Sequence, residues 1–263
     1  MKAWLKTFSE NPFWAIHQRR LERKSPLRRY GFDMLCQGGL VATALAGCML
    51  GRGHEVGLSL AHLHILYLAC VSTSATASSV VSERSKGSLL TLALTKINSA
   101  DYADGVSLSA AYGYLRNLLL LSPFIAMVFL FNCGSLFGAF LYVCITASVT
   151  VLGCYNGLRI SATSKDARQA SQWAVLSPLL CILGTPILLP FGGFLLLPLW
   201  LAHPYAALYL AVFGMTGMEA NADVVQTVIF WKGWALIFVA LYYGFTRYVR
   251  RSAISSLERI SLQ

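Results

Sequence analysis

Runs of apolar residues too long for a soluble core set the terms for this chain. A helix crossing the hydrocarbon of a bilayer needs about 20 largely apolar residues, and it must satisfy its backbone amides within the segment. The sequence offers six such runs: Phe32–Leu50, Leu58–Val81, Leu115–Phe131, Leu136–Leu158, Gln172–Leu189 and Trp231–Tyr248. Charge is correspondingly scarce at 12% of residues, against about a quarter in soluble domains. The expected fold class is an all-α integral membrane protein with six transmembrane helices in one domain over residues 32–250.

Lys and Arg sit in the gaps between those runs, and their distribution sets an orientation. The gaps on one side hold eight basic residues before Phe32, then Arg84, Lys86, Lys96 and Arg116, then Arg159, Lys165 and Arg168, and finally Arg247, Arg250, Arg251 and Arg259. The opposite gaps hold Arg52 alone, with Lys232 near the far end of the sixth run. The positive-inside rule then puts both termini in the cytoplasm. The formal net charge of +10 is thus a topology signal and not a nucleic-acid-binding stripe. Lys232 reads as snorkelling to the outer boundary.

Outside the spans, residues 1–31 read as an N-terminal interfacial helix. Asn11 and Pro12 suit a helix start, Phe13, Trp14, Ile16 and Leu21 gather near one face, and basic residues take the other. Trp14, Arg28 and Arg29 are interfacial anchors here, as Trp231 and Trp234 are at the outer end of the sixth span. The stretch 190–230 is too apolar for a solvated loop and too broken by Pro and Gly for a straight span. It is expected to form short outer re-entrant helices between spans five and six. Residues 251–263 form a cytoplasmic tail.

The motifs of several enzyme classes are missing. There is no GxSxG elbow, no HExxH and no phosphate-cradling P-loop, so no catalytic residue is assigned and nucleotide chemistry would need another chain. Seven Cys lack CxxC spacing and read as packing residues. His62 and His64 point to different sides of a helix, and polar packing is preferred over a metal or haem site. Gly39, Thr43 and Gly47, the Ser/Thr-rich end of the second run, and the pairs Gly134–Gly138 and Gly153–Gly157 are close-packing signals. They fit contacts within a subunit or between two copies.

One polar segment remains between spans two and three. Glu83-Arg84 follow the span, Gly87 permits a sharp turn and Ser88 can cap a short helix carrying Leu89, Leu90, Leu92 and Leu94. Asn98 can cap a second start, with Asp101 three residues on. This pattern resembles the membrane-spanning permeases of type-2, exporter-like ABC transporters. Their second span is followed by Glu-Arg/Lys-x-x-Gly-Thr/Ser-Leu, a leucine-rich run ending in Thr, and a turn with Gly before span three. Here these are Glu83 to Leu89, the run to Thr95, and Gly105; Lys96 and Val106 stand where the family often has Pro and Lys. Asn11-Pro12, Leu197 to Trp200 with His203 to Tyr205, and the terminal Arg247, Arg250 and Arg251 are similar as well.

The resemblance implies a coupling helix at Glu83, Arg84, Gly87, Ser88, Leu89, Leu90, Leu92, Leu94 and Asp101, seated on a separate ABC ATPase subunit. ATP and Mg would be bound by that partner, and this chain would hold no cofactor or metal. A second permease copy or a paralogue would complete the assembly, in contact with membrane lipids. The alternative is a non-transport scaffold that docks a cytoplasmic partner, and a weaker rival, resting on the scattered His and Cys, is an intramembrane enzyme or haem-handling protein.

Overall fold

The computed structural model describes residues 14–15, 31–51, 53–87, 98–133, 136–192, 203–204 and 222–261. Within them the regular elements are all helices: α1 (Phe32–Met49), α2 (Gly53–Ala77), α3 (Ser79–Ser85), α4 (Ser99–Cys133), α5 (Leu136–Thr163), α6 (Ala167–Gly192) and α7 (Ala222–Ser261). Among the described residues, α1, α2 running on into α3, α4 and α5 are long and apolar enough to cross a bilayer.

α5 is the central helix, packed on α2, α4, α6 and α7. Its sequence is apolar or small almost all round, and Leu141, Ile145, Cys154 and Leu158 are fully enclosed. The outward faces of the other helices carry large apolar groups, among them Leu35, Leu119, Phe124, Leu180, Leu236 and Leu241. A bundle that shows such residues to its surroundings is matched to lipid.

Small residues bring α2 and α5 together. A methyl group at Gly153 would lie 2.0 Å from the Ser72 hydroxyl oxygen, and one at Gly157 would lie 2.0 Å from the Thr73 carbonyl oxygen. The hydroxyl-rich end of the second apolar run and the Gly153–Gly157 pair are therefore two sides of one contact within the chain. Gly47 of α1 packs likewise on Val56, whereas Gly39 and Thr43 are exposed.

The two longest of the described helices far exceed the thickness of a bilayer's hydrocarbon. The 35 residues of α4 and the 40 of α7 make rods of about 50 and 60 Å, against about 30 Å of hydrocarbon. Only two residues separate α4 from α5 at the far end, so the overhang of α4 is at the end bearing Arg159, Lys165 and Arg251. There Val80, Tyr102, Ala103, Leu158, Ala253 and Leu257 bury one another in a second apolar cluster. This platform joins α3, α4, α5 and α7 below the apolar bundle.

The start of α4 differs from the sequence expectation. Asn98 accepts a hydrogen bond from the Ala100 amide at 3.0 Å and begins the helix there. Gly105, expected in a turn before the third span, is instead buried inside α4. Burial of Tyr102, Ala103 and Val106 in the platform accounts for those extra turns.

Candidate functional site

The polar segment after span two begins on the platform, and its attachment can be traced bond by bond. α2 ends at Ala77 and α3 starts at Ser79, so the helix breaks at Ser78. Two amides just past that break, those of Val80 and Val81, donate to the Ser161 hydroxyl of α5 at 3.0 and 3.2 Å. One turn earlier, the Thr76 hydroxyl donates to the Cys154 carbonyl at 2.6 Å. α5 thus supplies partners on both sides of the break, as buried backbone groups require.

Arg84 fastens the other end of α3. Its Nη1 donates to the Ser164 carbonyl at 3.2 Å and its Nη2 to the Ala162 carbonyl at 3.0 Å. Those carbonyls lie in the last turn of α5 and just past it, where a guanidinium supplies missing donors and meets the negative end of the helix dipole. Gly87 then turns the chain with φ of 72°, its amide bonded to the Arg84 carbonyl at 3.1 Å. That is left-handed backbone, which Gly adopts without a side-chain penalty.

The α5–α6 turn that receives Arg84 is itself built. The Asp166 Oδ1 accepts from the Gln169 amide at 2.7 Å, and the Gln169 Oε1 accepts from the Lys165 amide at 3.0 Å. This is a close variant of the reciprocal capping box, and the spacing Asp-x-x-Gln is the signal that could have revealed it. Nearby, Arg250 of α7 grips Asp104 of α4 through Nε and Nη2, both at 2.7 Å, while the Tyr155 hydroxyl donates to Asp104 at 2.8 Å. The planar fork of Arg matches a carboxylate in this way.

Of the residues expected to meet an ATPase, the structure places Glu83, Arg84 and Gly87 together at the end of α3, and Asp101 in the first turn of α4. Ser88, Leu89, Leu90, Leu92 and Leu94 lie outside the described residues, as do Arg28 and Arg29. Trp14 meets the edge of Tyr112 on α4 at 5.6 Å between ring centres. Trp231, Lys232 and Trp234 fall on α7 where the backbone alone is described, and residues 190–230 are described only in part. Sequence reasoning missed Ser161, Asp104 and Tyr155, and it read Arg250 only as part of a basic ending.

A second polar constellation lies within the apolar bundle. Asp33 of α1 accepts three hydrogen bonds: from Gln37 Nε2 at 2.9 Å, Tyr67 OH at 2.9 Å and Asn117 Nδ2 at 2.7 Å. Gln37 Oε1 lies 3.3 Å from His64 Nε2, and His64 Nδ1 meets the Tyr142 hydroxyl. Gln37, His64, Asn117 and Tyr142 are all buried. His64 therefore has partners on the facing helices α1 and α5. Among the described residues, no group of three or more His, Cys, Asp or Glu is placed to hold a metal ion.

A comparison of the chain with known protein families gave no match, and neither did one with curated proteins.

Proposed function

We propose that this chain is the membrane-spanning permease subunit of an exporter-like ABC transporter. It would lie in a bacterial cytoplasmic membrane with six spans and both termini inside, driven by ATP hydrolysed on a separate subunit. Two permease chains, alike or paralogous, would pair with two ATPases. The polar segment from Glu83 to Gly105 would be the docking element, with Glu83, Arg84, Gly87, the run Ser88 to Leu94 and Asp101 meeting the ATPase.

The observation that carries this reading is the fastening of α3. A segment that only connected two spans would have no need of Arg84 on the α5 terminus or of Ser161 under the Val80 and Val81 amides. A segment that must pass a push from a partner into the bundle does need them. Movement at Gly87 reaches α5 through Arg84, and reaches α4 and α7 through the apolar platform. Such coupling works only if the partner binds two arrangements of the bundle with different free energies.

The test is purification with the P-loop ATPase encoded nearest to this chain. The intact chain is expected to hold the ATPase and raise its turnover. The variant carrying Glu83→Ala and Gly87→Pro should insert normally, lose that association and leave turnover at the level of the ATPase alone. Unchanged association and turnover would sink the assignment. A scaffold that docks a partner without transport would bind through the same face, but ATP would drive no movement of the spans.

A further inference from the structure

The buried chain from Tyr142 to Asp33 has a direction. A carboxylate without its proton only accepts, so Gln37 turns its Nε2 toward Asp33 and its Oε1 toward His64. That makes His64 Nε2 a donor, which leaves Nδ1 to accept from the Tyr142 hydroxyl. The order is Tyr142 to His64 to Gln37 to Asp33, each donating to the next across α5, α2 and α1.

A small cavity of about 40 Å³ adjoins this chain. Its walls include Val41, Ala44, Leu60 and Ile125, and its polar side chains are His64 and Tyr142. Leu40 to Ala44 on α1 and Gly57 to Ala61 on α2 place it toward the far end of the bundle from Asp33. The cavity and the hydrogen-bonded chain therefore lie end to end along the apolar bundle. Every link but one can carry a proton. A phenol, an imidazole and a carboxylate each take one proton on one side and release another on the other. The amide of Gln37 does so only by becoming an imidic acid, which gives up the amide resonance.

We propose that Gln37 is an insulating residue, which keeps the polar chain continuous as a structural tie while blocking proton passage along it. With Glu at this position the path closes. A protonated water in the cavity gives its extra proton to the Tyr142 oxygen, reverting to neutral water, as the phenol proton passes to His64 Nδ1. The His64 Nε2 proton then moves to one oxygen of the new carboxyl, whose other oxygen passes its proton to Asp33. Asp33 then releases its proton to water at its own end of the bundle, and the hydroxyl, imidazole and carboxyl regain their original forms as the bonds reverse, so each passage moves one proton and consumes nothing. This inference depends on the chain crossing a membrane and not on the nature of its partner.

The experiment uses the full chain in liposomes with a trapped pH-sensitive dye, a potassium gradient and valinomycin. The unaltered chain should hold the pH gradient as well as protein-free vesicles do. Gln37→Glu should lose it, and Gln37→His, whose imidazole also relays, should do the same. Adding His64→Phe to either variant should restore tightness. Each variant is first matched to the unaltered chain by its gel-filtration profile. The inference is overturned if the unaltered chain leaks and His64→Phe stops the leak. It is equally overturned if a correctly folded Glu or His variant stays tight, or if the double variants leak as fast as the single ones.

Discussion

At the scale of single residues, Gly153 and Gly157 make the clearest contrast. Both take part in the α2–α5 approach, yet what opposes them differs. The atom nearest a new methyl at Gly153 is a serine hydroxyl, which can rotate away, whereas at Gly157 it is the carbonyl oxygen of Thr73, which cannot. Gly157→Ala is therefore expected to force the helices apart and cost about 1–3 kcal/mol, with Gly153→Ala well below that. Thermal midpoints of the two variants in the same detergent would rank them. The small-residue spacing was visible in the sequence. Its partner was not, because a run of Ser and Thr does not say which helix it faces. His64 shows the same limit: its helical face could be read, but Gln37 and Tyr142 lie 27 and 78 residues away.

At the scale of elements, the break between α2 and α3 matters most. A continuous helix would satisfy the Val80 and Val81 amides from its own preceding turn, and here Ser161 takes that place. Ser161→Ala leaves two buried donors without that acceptor and is expected to cost about 1–3 kcal/mol. Ser161→Thr, which keeps the hydroxyl, should be milder. Amide hydrogen exchange at Val80 and Val81 is the direct measurement, and both should exchange faster in the Ala variant alone. The helices themselves were legible because apolar run length decides them. Their ends were less so: α4 starts at Ser99, not near Leu115, because tertiary burial of Tyr102 and Ala103 outweighs the polar local sequence. The turn chemistry of Gly87 and Asn98 was legible, since each acts on its own backbone. The seat of Arg84 on Ala162 and Ser164 was not, since it needs the fold.

At the scale of the whole molecule, the chain has two storeys: an apolar bundle dressed for lipid and a platform beyond it held by its own core. The pair Arg250–Asp104 ties the longest helices of the platform together. Its side chains are 35% and 26% exposed, so water weakens the attraction and about 1 kcal/mol is the appropriate scale. Asp104→Asn should lower stability by about that amount, and Asp104→Arg combined with Arg250→Asp should be more stable than either charge reversal alone. A double-mutant comparison of unfolding midpoints measures the difference.

The same pair bears on how the protein is made. Asp104 leaves the ribosome long before Arg250, which follows 146 residues later, and chains are synthesised from the N-terminus at about 5–20 residues per second. During that interval Asp104 lacks its guanidinium partner and the face that receives Ala253 and Leu257 is uncovered. The platform closes only when the last helix arrives. A chain truncated before Arg250, even one with its first helices in place, therefore leaves this face of the platform open.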